Sequence, residues 1–325
     1  MSPRTSVIMP AFNTAGTIER AIKSVTGQTD PDFELLIVND ASPDDLKLVV
    51  AEYLGEHPDP RIRYLENQQH LGLAETRNHG LREAEGQWIA FLDSDDQYTP
   101  TFLETMHNAV TPTSDVIVCA HCLHHESGET TYRRRGEPGT CTGHDAMLQV
   151  LRDEMTPYAW DKIYRASRIR GVTFPPIGNI KDEAFTVPAF KRARRVKVLR
   201  DALHWYSVDE SPVTSSACPP LEDCWRHVEH LKMTTNAHLG TETEKNALAV
   251  AWVLCFLNAA QTALRLRPEN LRGYVKGCQE AMRLPLVLRT LKTAPFFGAA
   301  GLLLRLSPSA YRTLYGSYVQ RSRRA

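Results

Sequence analysis

The stretch Trp88-Ile-Ala-Phe-Leu-Asp-Ser-Asp-Asp96 decides how this chain is read. Five apolar residues, enough for a short buried strand, end in three carboxylates within four positions. A strand apolar on both faces belongs inside a sheet that helices cover on both sides, and in such sheets ligands bind beyond the carboxyl ends of the strands. Asp93, Asp95 and Asp96 repel one another there, and alternate carboxylates on an extended loop can reach a hard cation and the sugar of a nucleotide together. The plain alternative is a solvated turn before a helix starting at Thr99, since acidic residues favour helix starts.

Working outward, the same alternation recurs. Thr5 to Met9 is a β-branched run ended by Pro10, and Gly16 to Thr26 places Ile18, Ala21, Ile22 and Val25 at helical spacing. Phe33 to Val38 reads as a second strand leading into Asn39-Asp40, with Asp44 and Asp45 starting a helix through Leu46, Val49, Val50 and Leu54. Arg61 to Leu65 gives a third strand, Leu73 to Ala84 a third helix, and Trp88 to Leu92 the fourth strand. This pattern predicts an α/β fold with a mostly parallel sheet sandwiched by helices. The residues to inspect are those just past the strands: Ala11 to Asn13, Asn39-Asp40, Asn67 and Asp93 to Asp96. Residues 114–216 are mixed, with a strand predicted at Asp115 to Ala120 and a helix near Asp145 to Arg152. Beyond Pro219-Pro220 long helical stretches begin, so a boundary falls near residue 218.

Composition narrows the class. The 325 residues are 42% hydrophobic and 23% charged, as in an ordinary globular protein of about two domains. Lys+Arg and Asp+Glu are 38 each, so no global charge draws the chain to nucleic acid. Seven cysteines without framework spacing point to a reducing, cytoplasmic compartment, and residues 1–10 read as a strand rather than a signal peptide. Cys119-Ala-His-Cys122 superficially suggests zinc, but residues three apart on a strand face opposite sides. No G-x-G-x-x-G follows the first strand, and P-loop, H-E-x-x-H and G-x-S-x-G motifs are lacking.

Taken together, Ser6-Val-Ile-Met-Pro-Ala-Phe-Asn13, Val38-Asn-Asp-Ala-Ser42, Asn67 with Gly72-Leu-Ala-Glu-Thr-Arg-Asn-His-Gly80, and Phe91-Leu-Asp-Ser-Asp-Asp96 resemble the family 2 glycosyltransferases, inverting enzymes with a GT-A fold. Ala159-Trp-Asp-Lys-Ile-Tyr164 and Lys181-Asp-Glu-Ala-Phe185 look like later family segments, so the resemblance covers about residues 4–216. It implies a GT-A catalytic domain over 1–218, with a nucleotide-binding half to about 96 and an acceptor half from 97, followed by a helical region at 219–325. It further implies a base and ribose pocket from Pro10, Ala11, Phe12, Asp40, Asn67 and Arg77, with Asp93 on the ribose. By the same resemblance Asp95 holds Mn²⁺ or Mg²⁺ on the diphosphate, and Asp182 is the general base. Glu183 is the fallback base, because the family's Glu before the Asp is Lys181 here, and a neighbouring ammonium weakens a carboxylate base. Asn78 on the third helix, Asp96 in the acidic cluster and His204 near Trp205-Tyr206 are further candidates, His204 for the metal shell.

The implied activity is transfer of a sugar from a nucleotide-diphosphate donor, UDP-linked by resemblance, to a hydroxyl of a glycan or lipid-linked acceptor for a bacterial cell-surface polysaccharide. The alternatives are an inactive nucleotide-sugar- or glycan-binding module, or a nucleotidyltransferase, although Ala11 to Gly16 carries no base for the latter's phosphate loop.

The C-terminal third differs in texture. Residues 246–264 hold no charge but are interrupted by Asn258, Gln261 and Thr262, which fits a buried bundle helix better than a membrane span. Ala294 to Leu304 is apolar and too short to cross a bilayer. From Arg265 to Ala325 there are twelve bases against two acids, Glu269 and Glu280. This tail is compatible with a helical module lying on an anionic membrane, placing the protein peripherally on the inner face of the plasma membrane. A helical appendage packing on the catalytic domain or forming a homo-oligomer is the alternative.

Overall fold

The computed structural model describes residues 2–125, 129–178, 182–208 and 218–322, the side chains of 125 and 316–322 excepted. The chain divides into two compact units, one formed by Met1–Met147, Met155–Pro176 and Ile180–Glu210, the other by Leu148–Glu154, Ile177–Asn179 and Ser211–Ala325.

The first unit opens with β1 (Thr5–Ala11), α1 (Ile18–Thr26), β2 (Phe33–Asn39), α2 (Leu46–Glu56), β3 (Ile62–Glu66), α3 (Leu73–Glu83) and β4 (Trp88–Phe91). It continues through β5 (Gln97–Tyr98), α4 (Phe102–Asn108), β6 (Val116–His125), β7 (Thr130–Arg133), β8 (Gly139–Thr142), α5 (Gly143–Leu151), β9 (Lys162–Arg165), α6 (Ala166–Ile169), α7 (Glu183–Arg192) and β10 (Arg195–Val208). Among the described residues these strands form one sheet in the order β3-β2-β1-β4-β9-β6-β10-β5, with β7 beside β6 and β8 beside β10. The first four strands are parallel, as the strand–helix alternation predicts. Beyond β4 the sheet is mixed: β9 enters antiparallel between β4 and β6, and β10 runs parallel to β6. Sequence patterning did not delimit β9 or the long β10, because neither is followed by a periodic helix that would mark it.

Ile18, Ala21, Ile22 and Val25 form the buried face of α1 and pack with Val7, Met9, Leu35, Ile37, Trp88 and Leu92 in one core. Burying a side chain such as Ile22 contributes roughly 1.5–3 kcal/mol, and this fixes the helix on its side of the sheet. On α3, Gly80 permits close approach to β1: a Cβ there would lie 2.4 Å from Ile8 Cγ2. Leu92 N donates to Ile8 O, but the next rung has no donor because Pro10 lacks an N–H, so the β1–β4 ladder stops there. The two strands part at their carboxyl ends, where the acidic loop begins.

The second unit contains α8 (Leu221–Thr235), α9 (Glu242–Leu266), α10 (Leu271–Ala281), α11 (Leu284–Thr293), α12 (Pro295–Leu306) and α13 (Pro308–Ser322). A capping box between Thr241 and Glu244 starts α9. Although α9 is long and apolar enough to cross a membrane, 72% of its most apolar window is buried, and Trp252, Val253, Phe256 and Ala260 lie in the core of the unit.

Candidate active site at the carboxyl edge of the sheet

The loops after β1, β2, β3 and β4 meet at the edge that the sequence singled out. Asn13 and Ala41 adopt positive φ, of 55° and 51°. Asn13 N donates to Ser42 Oγ and Ala15 N to Asp44, which joins the first two loops. Phe12 is partly exposed, and its ring lies 4.1 Å from that of His70.

Asp40 is buried and organises the third loop. Its carboxylate accepts from Asn67 Nδ2, Leu71 N and Gly72 N, each at 2.8 Å, and His70 Nδ1 lies 2.8 Å away. Gly72 is required there: its φ of +84° starts α3 while turning its N–H onto Asp40. Asn67 also meets Thr76 Oγ1 and His79. In this conformation Asp40 is therefore occupied by protein donors, two of them, His70 and Leu71, on exposed residues.

Arg77 is the centre of the site. It lies on α3 and is 1% exposed. One nitrogen donates to Asp93 and the other to Asp182, each at 2.7 Å, and the guanidinium lies 5.1 Å from the centre of the Phe174 ring. Burial lowers its pKa, but the two carboxylates outweigh burial and hold it above the ordinary arginine value. Asp182 stands at the first position before α7 without capping it through its side chain, and its second oxygen accepts from Ala159 N at 2.9 Å. Three residues far apart in sequence, Arg77, Asp93 and Asp182, thus share one network. Asn78 points elsewhere and clamps both backbone groups of Phe174, thereby seating the ring beneath Arg77.

Within the acidic loop the three carboxylates have different surroundings. Asp96 is buried, meets His204 Nε2 at 2.9 Å and accepts from Ser207 N at 2.8 Å. Burial pushes Asp96 well up and His204 down to about 4, which favours a neutral hydrogen-bonded pair. Both are turned inward. Asp95 is exposed, and the crevice desolvates it in part. That partial desolvation, followed by repulsion from Asp96 and Asp93, pushes it up to about 7 despite nearby Arg20, which donates to its backbone carbonyl.

The sequence reading named Ala159 to Tyr164 as a family segment but gave its side chains no role. Asp161 and Lys162 are fully buried and paired at 2.6 Å, with Lys162 also donating to the carbonyls of Thr156 and Tyr158. This pair shapes the segment carrying Tyr158 and Trp160, whose rings stack at 4.6 Å, with Trp160 stacked in turn on His204. The aromatic character of Tyr158-Ala-Trp160 was the available signal. Glu183 begins α7 and is half-buried; Lys181 lies outside the described residues.

A mostly parallel sheet between helices, with an acidic loop after its fourth strand and an Asp–Arg–Asp network beside it, defines a GT-A catalytic fold. Residues 6–179 match the family described as Glycosyl transferase family 2, and the chain belongs to that family. It is 28% identical to EpsH of Bacillus subtilis over 65% of this chain and 63% of EpsH. Over a shorter stretch, 30% of this chain and 38% of the relative, it is 42% identical to the Escherichia coli UDP-Glc:alpha-D-GlcNAc-diphosphoundecaprenol beta-1,3-glucosyltransferase WfgD. The chain thus spans less than two thirds of these relatives' own length. Its fold is similar to that of S. aureus TarS 1–349 in complex with UDP-GlcNAc, with a TM-score of 0.70 and 22% identity over 98% of this chain and 92% of that one.

Proposed function

We propose that this protein transfers a sugar from a UDP-linked donor to a hydroxyl of a glycan or lipid-linked acceptor, with inversion at the anomeric carbon, in bacterial cell-surface polysaccharide synthesis. The observation that carries the reading is the buried Arg77 joined to both Asp93 and Asp182, which ties the donor loop to the candidate base. The names of WfgD and of a Campylobacter jejuni relative, each acting on an undecaprenol-linked acceptor, support the acceptor class. A cytoplasmic site of action, where nucleotide sugars are made, fits the same reading.

In this reading Pro10, Ala11, Phe12, Asp40 and Asn67 form the wall against which the base and ribose lie, with His70 giving way. Asp182 takes the proton of the acceptor hydroxyl as that oxygen attacks opposite the leaving diphosphate. Its bonds to Arg77 and Ala159 N hold it oriented. Among the described residues no group of three metal-ligating side chains is assembled. The donor set nonetheless suits a hard cation held by one or two carboxylates and by substrate phosphates, because a cation there would relieve the repulsion that Asp96 and Asp93 exert on Asp95. When bound, Mn²⁺ or Mg²⁺ would stabilise charge on the departing diphosphate. Asp95, with Asp93 beside it, would hold that ion.

Donor hydrolysis and thermal shift with UDP-sugars, each with and without Mn²⁺, test the reading. Asp182→Asn should abolish turnover, by at least about 10³-fold, while UDP-sugar still raises the melting temperature. Asp95→Asn should lose the Mn²⁺-dependent part of that shift. Loss of donor binding in Asp182→Asn, or a metal response undiminished in Asp95→Asn, overturns the assigned roles.

A further inference from the structure

We propose that the outer faces of α11 and α12 form a docking surface for an anionic lipid bilayer. From residue 281 to the C-terminus the sequence holds no Asp or Glu and eight Lys or Arg, so this stretch presents no carboxylate to repel an anionic partner. The helices within it are also apolar where they face outward. On α12, Phe296, Ala299 and Leu306 are exposed along one side, at spacings of three and seven residues; Phe296 is 79% exposed and Leu306 72%. On α11, Leu284 and Leu288 are exposed one turn apart.

The folded unit does not need this face. α12 packs through its opposite side, where Gly298, Gly301 and Leu304 are buried. A Cβ at Gly298 would lie 2.3 Å from Leu291 Cα, so the two helices are already in backbone contact along the inner seam. An apolar stripe left outside such a seam, on helices with no acid, matches an interfacial helix pair that buries apolar side chains at the headgroup boundary while its bases meet lipid phosphates. Lys292 near the end of α11 and Arg312 on the adjoining α13 are exposed and have no ion pair among the described residues, so both are available to those phosphates. Charge complementarity favours an anionic bilayer over a second copy of this chain, which would bring the same bases face to face.

The test is sedimentation of the full chain with vesicles of phosphatidylglycerol or of phosphatidylcholine, in low and high salt. It contains no sugar-transfer step, so its outcome is independent of the proposed activity. Retention by phosphatidylglycerol, weakened by salt and much lower on phosphatidylcholine, is expected. Lys292→Gln with Arg312→Gln should weaken the binding about 25-fold, from roughly fivefold for each base. Phe296→Ser with Leu306→Ser should weaken it at least about tenfold. An unchanged melting temperature in both double variants excludes unfolding as the cause. Equal retention on both lipids, or undiminished binding by either double variant, overturns the proposal. So does a dimer, seen by sedimentation velocity, that Phe296→Ser with Leu306→Ser dissociates in a protein that ignores vesicles.

Discussion

Arg77 shows how a single side chain sets the chemistry of this site. A buried guanidinium with two carboxylate partners has a planar fork that reaches both, whereas an ammonium is a point charge that can serve one well. Arg77→Lys should therefore fold but lose about 2 kcal/mol of stability, read as a lower denaturation midpoint. Its kcat should fall more than its affinity for UDP-sugar, because the carboxylate it displaces, Asp182, is the proposed base. A variant with normal kcat would remove Arg77 from the positioning of Asp182. In the sequence Arg77 was legible only through the family resemblance, since helical spacing alone gives an exposed position; its burial depends on Phe174 and on α7, about a hundred residues away.

At the scale of elements, the site depends on how closely α3 lies to β1. Gly80 faces the stiff, buried Ile8, whose branched Cβ cannot swing aside as a long flexible chain could. Gly80→Val should cost about 1–3 kcal/mol from overpacking and shift the helix that carries Thr76 and Arg77. Thermal melting should show the loss, and UDP-sugar binding should weaken in parallel; full stability in this variant would mean the contact relaxes without consequence. β1 to β4 and α1 to α3 were legible because each carries its own apolar period and its own stop signal. β9 and β10 were not, because their pairing joins β4, β6 and β8 across distant sequence, and no local pattern encodes such partners.

At the scale of the whole molecule, acid stability has an identifiable source. Asp115 is buried between Arg165, Arg168 and Arg194, with contacts of 3.0 to 3.3 Å. Burial raises its pKa, but the hydrogen bonds from Arg194 and the charge of the arginines outweigh burial and hold it below the usual carboxylate value. Asp30, Asp44 and Asp59 are likewise held low. A carboxyl group with a depressed folded pKa gives stability that is complete above its unfolded value of about 3.9 and is lost as pH falls through the folded value. The melting temperature should therefore drop steeply below about pH 4. Asp115→Asn should lose about 2–3 kcal/mol at pH 7, since three arginines lose their shared partner, with the difference from the parent shrinking below pH 4. A constant difference across that range would show that Asp115 contributes shape rather than charge.

By itself the sequence determined the parallel strand–helix half, the carboxyl edge at which its motifs gather, and the acidic loop after β4, because period, stop signals and motif order are local properties of the chain. It also carried the uneven distribution of bases toward the C-terminus. The tertiary structure decided what surrounds each carboxylate. Burial and His204 turn Asp96 inward, Arg77 joins Asp93 to Asp182, and Asp95 is left facing the crevice. Those differences arise from burial and from partners contributed by distant segments, and both exist only once the chain has folded.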